Sequence, residues 1–269
     1  LVNVSASVLS VAPASCLLLL PPSYFAPLHA SSYGTGELIL PALDQEVKKI
    51  IRCVGGSATV DGGCGILQAL GIRFLDEKGN ELKGIPESLV HLASVDVSGL
   101  DKRMTKCECI ILCDVANTLL GEKGAAKIFG PQKGASEKQV LQLEAASTQF
   151  SKITLAVTGI GMAGIVHGGA AGGVAAGLHT FLDARLVNGI DYFLDITGFD
   201  KALQKTGILI TGEGSIDLQT LEGKAPYGVA VRAKRKNIPV IAMAGKLPDQ
   251  NHQELNMLFD ALLAIGHEP

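Results

Sequence analysis

Tryptophan is absent from the 269-residue chain and aromatic residues make up only 4% of it, too few for the stacking platforms that hold single-stranded nucleic acids. A basic excess is missing as well. The chain has 23 Lys and Arg against 26 Asp and Glu, a formal charge of −3, so it lacks the electrostatic footprint of a nucleic-acid-binding domain and small molecules are the expected partners. None of the six cysteines (16, 53, 64, 107, 109 and 113) forms a CxxC pair or has a histidine at zinc spacing. Cys107, Cys109 and Cys113 read as buried thiols in or beside a strand, and the set suits a reducing cytoplasm. A GxxxxGK[ST] phosphate loop is absent, as are the HRD and DFG motifs of protein kinases, so any phosphoryl transfer has to use another scaffold.

No apolar run is long enough to cross a bilayer, and no membrane partner is expected. Residues 1–30 have an apolar middle like a signal peptide, but they lack a basic leading region and an initial Met, and Pro13, Pro21 and Pro22 interrupt them. The expectation there is an irregular segment, with a cleaved leader or the remnant of a longer chain as the other options. Elsewhere the chain is 47% hydrophobic and 18% charged, with a mean hydropathy of +0.32, the balance of a packed protein rather than a disordered one.

Glycine is abundant. The 32 glycines cluster at 55–65, 159–177 and 212–228 rather than at a fixed period, which suggests several tight loops facing ligand and not a repeat protein. A helical pattern over 36–49 leads into an expected strand at 50–54, the loop GGSATVDGGCG and a helix at 66–70. A hairpin is expected around the turn at 77–80, and a further strand, 109–113, ends in Asp114. Ser136 with Gln139 predicts a capped helix running to Phe150. The part β-branched run 153–158 reads as a possible strand, 174–182 as an apolar helix and 190–206 as a connection. An apolar run at 207–210, the loop TGEGSIDLQTLEGKAP (211–226), a helix and a second apolar run at 239–244 then make one βαβ unit, in which ligands bind beyond the carboxyl end of the strand.

Chemistry is expected in these loops. Asp61, Asp114, Glu213 and Asp217 each lie beyond an expected strand. A single carboxylate in a turn serves as readily as a helix cap or Asx turn, but four near strand ends provide what phosphoryl transfer to an alcohol needs: a proton acceptor and ligands for Mg²⁺. Lys133 and Lys224, both beside glycines, supply positive charge, although each taken alone reads equally well as a solvated surface lysine. Gln219 and Thr220 share the 211–226 loop with Gly212 and Gly214, whose amides can approach an anion. His167 and His179 lack partners at metal spacing and read as packing residues. The match of Gly159 to Gly164 to GxGxxG, with Asp183 about 20 residues on, leaves a nicotinamide oxidoreductase as the reading ranked last, because the helix it requires is delayed by His167-Gly168-Gly169.

The segments GTGELI (34–39), GGSAT (55–59) with DGG (61–63), CDV (113–115) with Asn117, FGPQKGA (129–135), GAAGG (169–173) and the TGEG loop through 230 resemble the bacterial type of the glycerate kinase family. The resemblance covers about residues 34–245. It implies ATP-dependent phosphorylation of D-glycerate at the 2-hydroxyl, with Mg²⁺. It also implies an α/β fold of two α/β domains, one flavodoxin-like and incomplete here, with a cleft between them. The division expected is an irregular segment 1–30 unlike the family, a middle α/β domain 31–196 and the βαβ part of the flavodoxin-like domain, 197–269. Within that scheme the expected roles are Asp217 or Asp61 as general base, Asp114 and Glu213 near Mg²⁺, and Lys133 and Lys224 on the transferring phosphoryl. Gly55, Gly56, Ser57, Asn117, Gln132, Gly172, Gly173, Gly212, Gly214, Gln219 and Thr220 would bind substrate or nucleotide. Val60, Thr118 and Val166-His167-Gly168 depart from the family's usual residues. The family's opening segment and its carboxyl end have no counterpart in this reading, so the alternative is a non-catalytic chain of the same fold. A homo-oligomer remains open.

Overall fold

The computed structural model describes residues 6–10, 15–19, 21, 24–248 and 252–265, and the chain divides into two compact units between Val187 and Asn188. In the first unit a four-stranded sheet has β1 (Ala6–Ser10), β2 (Lys49–Cys53), β5 (Glu108–Cys113) and β6 (Arg185–Asn188) in that order. β2 pairs in parallel with both neighbours, Ile51 opposite Val8 on one side and Ile110 on the other. Consecutive residues Ile50 and Ile51 are both buried, the run expected of a parallel strand covered on its two faces. Residues 6–10 belong to the segment expected to be irregular, and pairing with β2 makes them a strand instead.

Helices α1 (Tyr33–Glu37) and α2 (Ile39–Asp44) precede β2, and α3 (Cys64–Ala69) follows it. A Cβ on Gly65 would stand 2.4 Å from the backbone nitrogen of Tyr33, so only glycine allows α1 and α3 this approach. The turn at 76–80 forms as expected, with Leu75 bridged to Glu81. The main partner of β3 (Arg73–Leu75) is nevertheless the more distant β4 (Ser94–Asp96).

α4 (Ala125–Phe129) leads to α5 (Glu137–Thr158), which starts in the Ser136–Gln139 capping box and stops at Gly159, whose φ is 74°. Leu143, Ala146, Ser147, Phe150, Ser151 and Thr154 line its buried face, a continuous stripe at helical spacing. That stripe carries the helix through 153–158, where a strand was expected. Phe150 meets Phe74 edge-on at 5.8 Å and stacks on Phe181 at 6.1 Å, and Phe181 comes from α6 (Val174–Leu182).

In the second unit, α7 (Gly189–Ile196) and α8 (Phe199–Leu203) occupy the stretch read as a connection. Asn188 caps α7 by accepting from the Asp191 amide at 3.1 Å, the short polar side chain that a helix start favours. Three parallel strands follow in the order β7 (Leu209–Ser215), β8 (Val240–Lys246) and β9 (Ala261–Ala264), joined by α9 (Ala225–Lys234) and α10 (Gln253–Leu258). Small residues, Ala230 and Ala233 on α9 and Ala242 and Ala244 on β8, are buried in one cluster with Leu255, Leu258 and Phe259.

Candidate active site

In the first unit, neighbouring parallel strands β2 and β5 release their chains at the same end. β2 runs into Gly55-Gly56-Ser57 and β5 into Asp114. With Gln132 and Lys133 these residues line a cavity of about 430 Å³, at the carboxyl edge where open α/β sheets bind ligands. Lys133 is only 4% exposed. Its Nζ donates to Ser57 Oγ and to the Thr59 carbonyl, each at 2.8 Å. Burial brings this amine down to about 8, and the negative charge of Asp61 works against that shift. Asp114 is exposed, and no hydrogen bond or ion pair engages its carboxylate among the described residues. The amides of Gly55 and Gly56 likewise donate to no described residue.

Four other residues expected at the site in this unit have structural contacts of their own. Asp61 is 0% exposed and accepts from the Ser32 amide (2.8 Å), the Ser32 hydroxyl (2.7 Å) and the amides of Gly63 (3.0 Å) and Gly65 (3.2 Å). A carboxylate offers about four acceptor positions. Three of these bonds reach Oδ2 and one Oδ1, all at the start of α3, so this carboxylate holds the loop and helix start together. Gly172 and Gly173 are buried, close-packed positions, since a Cβ on Gly172 would lie 2.0 Å from the Thr59 carbonyl and one on Gly173 2.6 Å from Leu119. Asn117 is half-buried, and its side-chain amide donates to the Lys123 carbonyl at 2.8 Å, closing the loop after β5.

In the second unit the TGEGS residues expected in a loop continue β7 through Ser215. Thr220 is buried in the 3-10 turn Leu218–Glu222. Its hydroxyl donates to Glu213 Oε1 at 2.5 Å and accepts from the Asp217 amide at 3.2 Å. Lys224 Nζ lies 3.9 Å from Asp217 Oδ1, with both groups partly exposed. Gly214 has open space around it, whereas a Cβ on Gly212 would come within 2.4 Å of the Met243 carbonyl on β8, so that glycine serves close strand packing. The side chain of Gln219 lies outside the described residues.

The family-wide sequence pattern of the glycerate kinase family matches residues 1–269. The chain belongs to the glycerate kinase family. Among relatives of this family member, the glycerate kinase of Halalkalibacterium halodurans is 45% identical over 90% of this chain and 63% of its own length. The glycerate 2-kinase of Escherichia coli K12 is 41% identical over 96% of this chain and 69% of its own length. A crystal structure assigned as glycerate kinase 2 from Salmonella typhimurium LT2 superimposes with a TM-score of 0.83 at 42% identity, covering 98% of this chain and 68% of that one. This family member thus spans 63–69% of the length of these relatives.

The family match includes residues 1–30, which the motif reading left outside it. The glycines 159, 161 and 164 follow a helix and not a strand, so the setting a dinucleotide loop needs is missing. All six cysteines are free, and burial pushes Cys109 and Cys113 up to about 12, the thiol rather than the thiolate form. No described helix is long and apolar enough to cross a membrane. Ser32 escaped the sequence reading, although a serine just ahead of a helix is a hydrogen-bonding type worth testing. Nothing in the sequence links Lys133 to Ser57, 76 positions away.

Proposed function

We propose that this chain carries the ATP-dependent phosphorylation of D-glycerate at its 2-hydroxyl. The observation that carries the reading is the cavity at the ends of β2 and β5, where Gly55, Gly56, Ser57, Asp114, Gln132 and Lys133 meet in a member of the glycerate kinase family. Free backbone amides and a buried amine suit the oxygens of a phosphoryl or carboxylate group. In the second unit Lys224 offers a positive charge, and Gly214 a backbone open to ligand. Asp217 is the general base toward the glycerate hydroxyl, because Asp61 is buried and already accepts four hydrogen bonds.

The donor set fits Mg²⁺, which takes one or two carboxylates and completes its shell with water and phosphate oxygens. Asp114 is exposed and unpaired among the described residues, and the Thr220 hydroxyl engages only Oε1 of Glu213. No cluster of three or more ligating side chains occurs among the described residues, so each carboxylate would act with the nucleotide's own oxygens. When bound, Mg²⁺ would neutralise charge on the phosphates. The six free cysteines support a reducing, cytoplasmic setting.

The test is ADP release from the folded chain with Mg-ATP and D-glycerate, with the product passed to enolase to report 2-phosphoglycerate. Asp217→Asn is expected to lower kcat by about a hundredfold or more, the usual range for a lost general base. Turnover within a few fold of the parent would remove Asp217 from that role. Nucleotide binding without ADP release would leave a protein of this fold that binds and does not transfer.

A further inference from the structure

A lysine that donates to a serine hydroxyl and a carbonyl can simply be holding a loop. The surroundings of Lys133 go further. Its amine is buried, it forms no ion pair among the described residues, and the hydroxyl it meets at 2.8 Å lines an open cavity of about 430 Å³. The same cavity is lined by Gly55 and Gly56, whose amides donate to none of the described residues. A nucleophile, an adjacent amine and free donors for a developing anion are the three parts of serine–lysine catalysis. We propose that Ser57 is a nucleophile with Lys133 as its general base, and that it takes the γ-phosphoryl group of the nucleoside triphosphate before the acceptor alcohol does.

This inference rests on the phosphotransferase reading above and adds a covalent intermediate to it. In the first step Ser57 Oγ attacks the γ-phosphorus. The new bond is Oγ–P, the bond to the bridging β–γ oxygen breaks, ADP leaves, and the hydroxyl proton passes to neutral Lys133 Nζ. In the second step the acceptor hydroxyl oxygen attacks the phosphoserine. The Oγ–P bond breaks, Lys133 returns its proton to Oγ, and the acceptor's proton passes to Asp217, its general base. Burial keeps a useful fraction of Lys133 neutral near neutral pH, which the first step requires.

The full chain is incubated with Mg-ATP without glycerate, and peptide mass mapping reads the Ser57 peptide. One phosphoryl group per chain on Ser57, removed when D-glycerate is added, is the expected result. In parallel a fluorophosphonate, which loses fluoride to a serine nucleophile, tests Ser57 without ATP. Labelling should be stoichiometric and slower by about a hundredfold in Lys133→Met, with Lys133→Arg as a second variant that keeps a hydrogen-bond donor in the buried position. ADP release in the presence of glycerate, with Ser57 never phosphorylated and never labelled, overturns the proposal and leaves the kinase reading intact. Labelling of Ser57 without any ADP release upholds the nucleophile and overturns its role as acceptor from the triphosphate. Neither labelling nor ADP release overturns both.

Discussion

Lys133 and Asp61 show how far residue type is from residue role. Both stood out in the sequence as charged groups beside glycines, and both are buried, but Asp61 is saturated with donors while Lys133 faces a cavity. The burial of Lys133 also has a stability signature. Its amine falls from 10.5 to about 8 in the folded chain, so between these values the unfolded chain binds the extra proton and folding becomes more favourable as pH rises. The melting temperature of the parent is therefore expected to gain on that of Lys133→Met between pH 8 and pH 10, and a constant difference across that window would contradict the buried, depressed amine. The hydrogen bonds lost in the variant are a fixed offset and do not produce the slope. Arg52 is the opposite case. Nothing in the run IIRC marks it, yet it is 0% exposed and two of its nitrogens have no partner among the described residues, because which face of a strand is covered depends on helices far away in sequence.

At the scale of elements, α5 separates what a sequence states from what packing decides. Its start was legible because the capping box is a local hydrogen-bond pattern written in Ser136 and Gln139. Its end was not. Ile153, Thr154, Val157 and Thr158 are β-branched and weakly disfavour helix, but Phe150, Ser151 and Thr154 are buried and outweigh that preference. Phe150→Ala removes the ring between Phe74 and Phe181 and is expected to cost about 3–5 kcal/mol, read from urea midpoints at unchanged slope. The continuation of β7 beyond Ile210 was missed for a related reason. Glycine and glutamate are poor strand formers, and it is the ladder to Ala242, Met243, Ala244 and Lys246 on β8 that holds TGEGS extended.

At the scale of the whole molecule, two α/β units with separate cores hold the chain, and the alternation of apolar runs with glycine loops made that class readable before the register was. The six cysteines give a check on the whole. Five are buried and Cys53 is intermediate. In the native chain a thiol reagent is expected to reach Cys53 first and the other five only on unfolding, so rapid reaction of all six would mean that the first unit's core is not formed.

The pairing of β2 with β5 acts as a ruler. Cys53 stands opposite Leu112, and this register alone decides that Asp114 emerges beside Gly55 and that its carboxylate turns toward the loop. Sliding β5 by one position would move Asp114 about 3.3 Å along the sheet and send it to the opposite face. The sheet would still be parallel and well paired, but the cavity would have lost its carboxylate. Insertions and deletions inside these two short strands are therefore functional changes even where stability survives them.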